Sequence, residues 1–299
     1  MGHLSKFSSH IFMLIDTHAH LDKLQLTSDL ESVITRAIDA GVRCILTIGT
    51  GIESSRLAVA LAEKFPPLYA VVGVHPTDLK EECQDFLGPL RELALHPKVA
   101  AIGETGLDYH HLPSKEAHLR ILEASQLDSQ SSERIDTTVL LDKAYKSLQA
   151  KAFLQHLDLA AQLGHNVVVH QRDALEDTLQ LLAPYSSQLR AVFHCFGGTI
   201  KQAHEIISGG HLISFTGMVT FKKAGSVRQT VTQVPYNTYM IETDCPYLTP
   251  VPYRGKQCEP AHVRIVAEAI SQMRGESLAI VAQHTTNTAK AFFRLSGLI

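Results

Sequence analysis

Residues 13–48 read MLIDTHAHLDKLQLTSDLESVITRAIDAGVRCILTI. This stretch contains a short apolar run, Met13–Asp16, then apolar residues at helical spacing around Val33 and Ile34, then a second apolar run, Cys44–Ile48. Apolar residues at i, i+3 and i+4 predict an amphipathic helix, and the short apolar runs on either side predict buried strands. The stretch is therefore predicted to be a βα unit followed by the next strand.

The same pattern recurs along the chain. The predicted strands are Met13–Asp16, Cys44–Ile48, Leu68–Val74, Val99–Gly103, Val167–Val169, Ala191–Phe193, Leu212–Phe215 and Tyr239–Glu242. Eight βα units in one chain predict an α/β protein with a single-domain TIM (β/α)8 barrel, here residues 13–299.

Two segments do not fit the repeat. Residues 1–12 are predicted to be an N-terminal extension. Residues from about 112 to 146 are rich in Ser, Gln and charged side chains and are predicted to be an insertion between strands 4 and 5. The insertion contains helix-compatible pieces at Glu116–Ala124 and Thr138–Tyr145. Without both segments roughly 257 residues remain, close to the ~250 of a typical barrel.

Composition excludes several classes of protein. The net charge is −3 with no block of like charges, which argues against non-specific coating of nucleic acid. Five cysteines without a C-x-x-C pair suggest neither a disulfide framework nor a structural zinc site. The early apolar run at Ile11–Ile15 is far shorter than the ~20 residues of a membrane span. We expect a cytoplasmic protein without membrane contact or an obligate protein partner.

The first predicted strand leads into a pair of histidines. His18 and His20 alternate along an extended chain, so both imidazoles face one side and could share an ion. Two loop histidines bonded to backbone would give the same pattern. The position favours the metal interpretation, because catalytic residues of this fold lie at the carboxyl ends of the barrel strands.

The other strand ends supply more ligand-type side chains. Glu104 follows strand 4, His170 strand 5, His194 strand 6 and Asp244 strand 8. Four imidazoles and two carboxylates exceed the needs of one tetrahedral ion, which predicts two divalent ions, Zn²⁺, Mn²⁺ or Mg²⁺. In that arrangement His18, His20 and Asp244 hold one ion, His170 and His194 the other, and Glu104 bridges them. The alternative is a set of polar rim residues that satisfy each other.

The sequence resembles the TatD-like metal-dependent deoxyribonucleases of the amidohydrolase superfamily. The resemblance rests on IDTHAHLD at 15–22, GVHP at 73–76, IGETGLDY at 102–109, VVHQRDA at 168–174, FHCFGG at 193–198 and IETDCPYLTP at 241–250. It implies the same six metal ligands and a DNA substrate, cleaved from the 3′ end in single-stranded or damaged DNA. Three departures are the insertion, which borders the site, Cys258 in place of an Asn, and Asn166 in place of a Pro.

Paired ions would activate water and neutralise phosphoryl charge, and we expect Asp244, besides ligating, to accept the proton of the attacking water. His75 ends strand 3 and is interpreted either as a catalytic contact to substrate or leaving oxygen, or as a residue that orients another ligand.

The predicted substrate contacts lie near the strand ends. Arg172 could grip a phosphate, and Arg254 is a weaker candidate of the same kind. Tyr109 could stack on a base or pack at the rim. The role of Glu242, either orienting a ligand or pairing within the barrel, stays open.

Two other functions fit part of the pattern. A small-amide, lactone or ester hydrolase would use the same rim, but many such barrels bridge their ions with a modified lysine where this chain has Glu104. A non-catalytic scaffold predicts lost ligands, and all six are retained.

Overall fold

The structure is a computed structural model that describes residues 13–24, 28–79, 85–115 and 132–295, with side chains in the last range from residue 139. Within these ranges the strands are β1 Leu14–Ala19, β2 Val42–Ile48, β3 Leu68–Val72, β4 Val99–Asp108, β5 Val167–Arg172, β6 Ala191–Phe193, β7 Leu212–Phe215 and β8 Tyr239–Ile241. They form one sheet in chain order, and each pairs in parallel with the next.

Helices connect the strands. They are α1 Leu21–Leu24, α2 Leu30–Asp39, α3 Ile52–Lys64, α4 Leu87–Ala94, α5 Ser132–Leu163, α6 Leu175–Leu182, α7 Ile200–Ser208, α8 Gly225–Gln233, α9 Val263–Arg274 and α10 Leu278–Phe293. Helix α2 illustrates their design. The side chain of Asp29 caps it by accepting a hydrogen bond from the Glu31 N–H, and the helix buries Val33 and Ile34 on one face.

The sheet closes where β8 meets β1. The buried carboxylate of Asp16 accepts hydrogen bonds from the Thr243 N–H at 2.9 Å and the Thr243 hydroxyl at 2.6 Å. Ala19 and Cys245 form a parallel bridge just beyond. Eight parallel strands that nearly close on themselves, with helices between them, confirm the predicted TIM barrel.

The amino end of the barrel is filled by apolar side chains. Strand residues Ile15, Leu46 and Val168 pack in one cluster with Phe292 and Phe293, the end of α10. The side chain of Asn166, which stands where the resemblance leads one to expect Pro, donates to the Phe292 carbonyl at 2.7 Å and accepts from the Arg190 N–H at 2.9 Å. These contacts seal the amino end, so a site open to solvent has to lie at the carboxyl end.

Three strands run further than predicted. β1 extends to Ala19, β4 to Asp108 and β5 to Arg172. The β4–β5 register shifts between Ile102 and Thr105, and pairing then continues to the end of both strands. The added residues include polar side chains, which the apolar pattern used to predict strands does not recognise. Strand pairing still continues there because it is made by backbone hydrogen bonds. His18, Glu104 and His170 therefore lie within strands, not after them.

Part of the predicted insertion is visible. The piece Thr138–Tyr145 lies inside α5, and the Tyr145 hydroxyl donates to the Pro76 carbonyl at 2.9 Å. Residues 1–12 and the piece Glu116–Ala124 lie outside the described residues, so the limits of the extension and of the insertion stay predictions. Across the described ranges, no helix combines the length and the apolar character needed to cross a bilayer.

Candidate metal centre

Four donor atoms meet at the junction of β8, β1 and β4. The Nε2 atoms of His18 and His20 lie 3.3 Å apart, and Glu104 Oε2 lies 3.3 and 3.7 Å from them. Asp244 Oδ1 lies 3.8 Å from His18 Nε2 and 3.4 Å from His20 Nε2. Donors ~2.0–2.2 Å from a four-coordinate ion are ~3.4 Å from one another, so these four atoms fit one ion.

The other oxygen of Glu104 faces a second group of imidazoles. Glu104 Oε1 lies 2.7 Å from His194 Nε2 and 3.2 Å from His170 Nδ1, which are themselves 3.3 Å apart. His75 Nε2 lies 3.5 Å from the same oxygen. The six residues predicted as ligands thus come together, with one carboxylate oxygen turned to each group.

The barrel backbone positions the first group. Asp244 N–H donates to the His18 carbonyl at 2.9 Å, and His20 N–H donates to the Cys245 carbonyl at 2.8 Å. Asp244 has a φ of 55°, which turns the chain sharply after β8. The closure of β8 onto β1 therefore sets the distance between Asp244 and the two histidines.

A glycine lets Glu104 reach the centre. Gly103 has a φ of 140°, and a Cβ atom at this position would stand 2.5 Å from the Val168 carbonyl oxygen. Only glycine fits this conformation and this close approach to β5. Glu104 follows directly, with its side chain 3% exposed.

Charge at the centre is concentrated on Glu104. Burial alone would raise its pKa, but His194, His75 and His18 outweigh burial and hold the pKa well below its usual range. Burial likewise opposes charge on His194, yet Glu104 raises the pKa of His194 well above its usual range. The centre therefore holds an ionised carboxylate between imidazoles, a donor set suited to borderline divalent ions.

The family model for TatD-related DNases matches residues 15–294. The chain belongs to this family. A relative named as an uncharacterized metal-dependent hydrolase, YabD of Bacillus subtilis, is 35% identical over 285 residues, 95% of this chain and 100% of that protein. A protein of Escherichia fergusonii named 3′-5′ ssDNA/RNA exonuclease TatD is 32% identical over 290 residues, again 95% and 100%. The crystal structure of YJJV, a TatD homologue of Escherichia coli K12, has a TM-score of 0.76 at 25% identity and covers 95% of this chain and 99% of that one.

Membership of the TatD family makes the chain a metal-dependent hydrolase. Among its described residues, the donor atoms of His18, His20 and Asp244 lie within 4.8 Å of one another, and so do those of His75, Glu104 and His170. The first group is one half of the centre, and the second shares Glu104 and His170 with the other half. A third such group, His18–His194–Glu242, overlaps both halves. The residues present therefore fit the metal that the family implies.

One functional residue of this TatD-family chain was missed by sequence reasoning. Asp108, at the end of β4, is buried, and its Oδ2 accepts from His170 Nε2 at 3.1 Å. This bond places the ring proton on Nε2 and leaves Nδ1 free to coordinate. A signal existed, because alternation along β4 puts Asp108 on the same face as Glu104, four residues earlier.

Glu242, whose role the sequence left open, is also buried and holds three neighbouring segments. Its carboxylate accepts from the Cys195 N–H at 2.6 Å and from the Ser214 hydroxyl at 2.6 Å. Its Oε1 lies 3.6 Å from His194 Nδ1, longer than a hydrogen bond. Glu242 thus positions His194 mainly through the backbone of the next residue.

His75 follows β3 and is oriented by its own loop. Its Nδ1 lies 2.6 Å from the Thr77 hydroxyl oxygen and 3.2 Å from the Thr77 backbone nitrogen, which leaves Nε2 facing Glu104 Oε1 at 3.5 Å. Burial lowers the pKa of His75 to about 3, and the ring is neutral at neutral pH. His75 thus presents a neutral imidazole, through its Nε2, to the centre.

The loop of His75 is held from helix α5. His156 is buried there, and its Nε2 accepts from the Val74 N–H at 3.0 Å while its Nδ1 donates to the Ala152 carbonyl at 2.7 Å. Helix α5 thereby fixes the residue that precedes His75.

The predicted substrate residues lie in different places. Arg172 lines a cavity of about 620 Å³ together with His170, His194 and Asp244. Tyr109 lines a different cavity of about 510 Å³, where its hydroxyl donates to Asp177 at 2.7 Å. The guanidinium of Arg254 lies 4.1 Å from the centre of the Phe221 ring, and its Nη1 donates to the Thr249 carbonyl at 3.1 Å. Of the three, Arg172 lies at the mouth of the metal centre.

Proposed function

We propose that this protein is a two-metal deoxyribonuclease that removes nucleotides from the 3′ end of single-stranded or damaged DNA. The observation that carries the proposal is the position of Glu104, whose two oxygens face two separate groups of donors. A role in DNA repair would follow from that substrate. A cytoplasmic location is part of the same proposal, consistent with the free cysteines at positions 44, 195, 245 and 258.

The proposed ligands form two groups that share Glu104. His18, His20, Asp244 and Glu104 Oε2 would hold one ion, and His170 Nδ1, His194 Nε2 and Glu104 Oε1 the other. The imidazole-rich set favours Zn²⁺ or Mn²⁺, and Mg²⁺ would require more water ligands. When bound, a pair of such ions supplies an activated water and neutralises charge on the phosphoryl oxygens.

Asp244 is suited to accept the proton of the attacking water. Burial would raise its pKa, but the bond with His20 and the charge of His18 lower it, so the carboxylate is ionised at neutral pH. It also lines the cavity that a substrate would enter. A group in this position acts as a general base when it stands within hydrogen-bond reach of the water.

His75 and Arg172 are suited to the substrate itself. Nε2 of His75 faces the centre and, when it carries the ring proton, can donate to the leaving oxygen as that oxygen gains charge. Arg172 presents a guanidinium at the cavity wall, where it can bind a phosphate with two parallel hydrogen bonds. The proposed exonuclease polarity is that printed in the name of the Escherichia fergusonii relative.

The decisive experiment uses metal-free protein reloaded with Zn²⁺, Mn²⁺ or Mg²⁺. Single- and double-stranded DNA labelled at the 5′ or the 3′ end is digested beside a panel of small amides, lactones and esters. We expect a ladder of shortened 5′-labelled single strands and immediate release of a 3′ label as a mononucleotide. Clear amide or lactone turnover without DNA cleavage by any of the three ions would contradict the proposal.

A further inference from the structure

Tyr247 has no role in the mechanism above, yet it stands beside the metal centre. It follows the proposed ligand Asp244 by three residues, and its N–H donates to the Asp244 carbonyl at 3.0 Å. Its ring meets that of His20 edge to face, with ring centres 6.1 Å apart and planes at 67°. The backbone turn and the neighbouring imidazole hold the tyrosine ring next to one half of the centre.

The Tyr247 side chain is open to a ligand. It is 48% exposed, and it lines the same cavity of about 620 Å³ as Asp244 and Arg172. Leu248 and Met218 line this cavity too, so the wall near the ring is partly apolar. An exposed aromatic face inside an active-site cavity leaves apolar surface in water, which a flat ligand group would cover.

The ammonium group of Lys23 lies near the Tyr247 ring. Lys23 Nζ lies 5.6 Å from the centre of the Tyr247 ring. A lysine ammonium has an ordinary pKa of about 10.4, so Lys23 is a cation at neutral pH. Aromatic rings next to cations are the usual arrangement by which proteins bind single strands, with bases on the rings and phosphates on the cations.

Tyr109, which the sequence suggested as a stacking residue, contacts other side chains outside this cavity. The ring of Tyr109 lies 4.1 Å below Lys146 Nζ, and its hydroxyl is bonded to Asp177. Tyr253 is 40% exposed but lies outside the cavity and stacks on His262. Of these three tyrosines, Tyr247 is the one that presents its ring to the metal centre.

We infer that Tyr247 is the platform on which a base at the 3′ end of the DNA strand stacks, with Lys23 facing the backbone phosphate. The inference rests on the proposed nuclease function and names how that site holds its substrate. Stacking recognises the flat face that every base has, so this subsite would bind all four bases.

The test compares three variants. Tyr247→Leu removes the ring but keeps an apolar side chain, and Tyr247→Phe keeps the ring. Tyr253→Leu is the matched control, because it removes an exposed tyrosine from the same loop outside the cavity. Circular dichroism and the number of bound ions per chain establish that each variant folds and retains its metal.

Each protein is given two 5′-labelled single strands, one ordinary and one whose last two nucleotides lack bases. On the ordinary strand we expect Tyr247→Leu to raise KM at least about tenfold, the order of effect of losing one stacked base. On the strand without terminal bases its KM should equal that of the wild type. Tyr247→Phe and Tyr253→Leu should behave as the wild type on both strands.

A binding measurement without turnover complements the kinetics. A strand ending in 2-aminopurine is mixed with metal-free protein, and stacking on the tyrosine should quench its fluorescence in the wild type and Tyr247→Phe but not in Tyr247→Leu. Equal KM changes on both strands, or unchanged KM and quenching in Tyr247→Leu, would overturn the inference while the nuclease function stands. A wild-type protein that cleaves neither strand would overturn both.

Discussion

The two halves of the metal centre are held in place by different means. We call His18, His20 and Asp244 the seam cluster, because they lie where β8 closes onto β1, and His75, His170 and His194 the braced cluster. In the seam cluster, Nδ1 of His18 and of His20 has no hydrogen-bond partner among the described residues. In the braced cluster, His170 is bonded to Asp108 and His75 to Thr77, and only Nδ1 of His194 lacks a partner among the described residues.

The difference teaches that one centre combines two kinds of rigidity. The seam cluster depends on backbone hydrogen bonds that exist only in the closed barrel. Two histidines of the braced cluster, His170 and His75, depend on the side chains of Asp108 and Thr77, which can be replaced without opening the barrel. A substitution of the residue shared by both clusters should therefore have the largest effect on metal binding and turnover. A substitution of a ligand in one cluster should have a smaller effect, and a substitution of a residue that supports one cluster a smaller one still.

Replacing the shared residue should have the largest effect. Glu104→Ala removes the oxygen that each cluster faces, and we expect binding of both ions to be lost and kcat to fall on the order of a thousandfold or more. Ions per chain by mass spectrometry and DNA digestion measure the two effects. A variant that keeps two tightly bound ions would break the view that Glu104 joins the clusters.

Replacing Asp244 should affect the seam cluster and the chemistry. Asp244→Asn keeps the shape but loses the negative charge and the proton acceptor, so kcat should fall about 10²–10⁴-fold. One ion should bind more weakly while the ion of the braced cluster is retained. Near-normal turnover by a folded, metal-loaded variant would show that another group accepts the proton.

Replacing Asp108 should weaken only the braced cluster. Asp108→Asn removes the carboxylate that orients His170, and loss of such a support lowers metal affinity about 10- to 100-fold. Calorimetric titration should show one weakened and one unchanged ion, and high metal concentration should restore turnover. Equal weakening of both ions would mean that the clusters are not independently supported.

A pH effect on stability is expected away from both clusters. Burial lowers the pKa of His156 to about 4, although its bond to the Ala152 carbonyl acts in the opposite direction. The unfolded chain takes up this proton near pH 6.5 and the folded chain only near pH 4, so stability is full above about 6.5 and falls by up to about 3 kcal/mol as the pH drops to about 4.

The matched variant for this effect is His156→Gln, whose neutral amide can still accept from the Val74 N–H. Urea unfolding of the wild type and the variant at several pH values between 4 and 7 measures the difference. We expect the variant to lose part of the acid sensitivity and to keep the part due to His211, whose pKa burial also lowers to about 4. Identical pH profiles would exclude His156 as a source of acid sensitivity.

Much of the fold and the ligand set could be predicted from the sequence. Apolar periodicity predicts each strand without knowledge of the strands that pair with it. In this fold the carboxyl ends of the strands form the active-site rim, and this is why the sequence predicts Glu104 and Asp244 as ligands. The extension of β4 to Asp108 was missed because its last residues are polar and pair through the backbone. The exposure of Tyr247 could not be predicted, since it depends on how the loop after β8 turns back over the centre.

The insertion shows what the sequence does not predict. Its composition predicted an addition with helical pieces, but not that one helix would run from residue 132 to residue 163. Gln149 of this helix accepts from the Asp108 N–H at 2.9 Å and donates to the Asp108 carbonyl at 3.1 Å. Such contacts join residues far apart in sequence, and no local pattern encodes them.

The seam between β8 and β1 also has a consequence for the order in which the molecule becomes functional. His18 is among the first barrel residues to leave the ribosome and Asp244 among the last, yet the two are joined by the hydrogen bond from Asp244 N–H to the His18 carbonyl. A growing chain that ends at β7 has the histidines of both clusters but lacks Asp244. In the proposed two-ion site, full metal loading would therefore require that the ring of strands has closed, so that hydrolysis would depend on strands from both ends of the chain meeting.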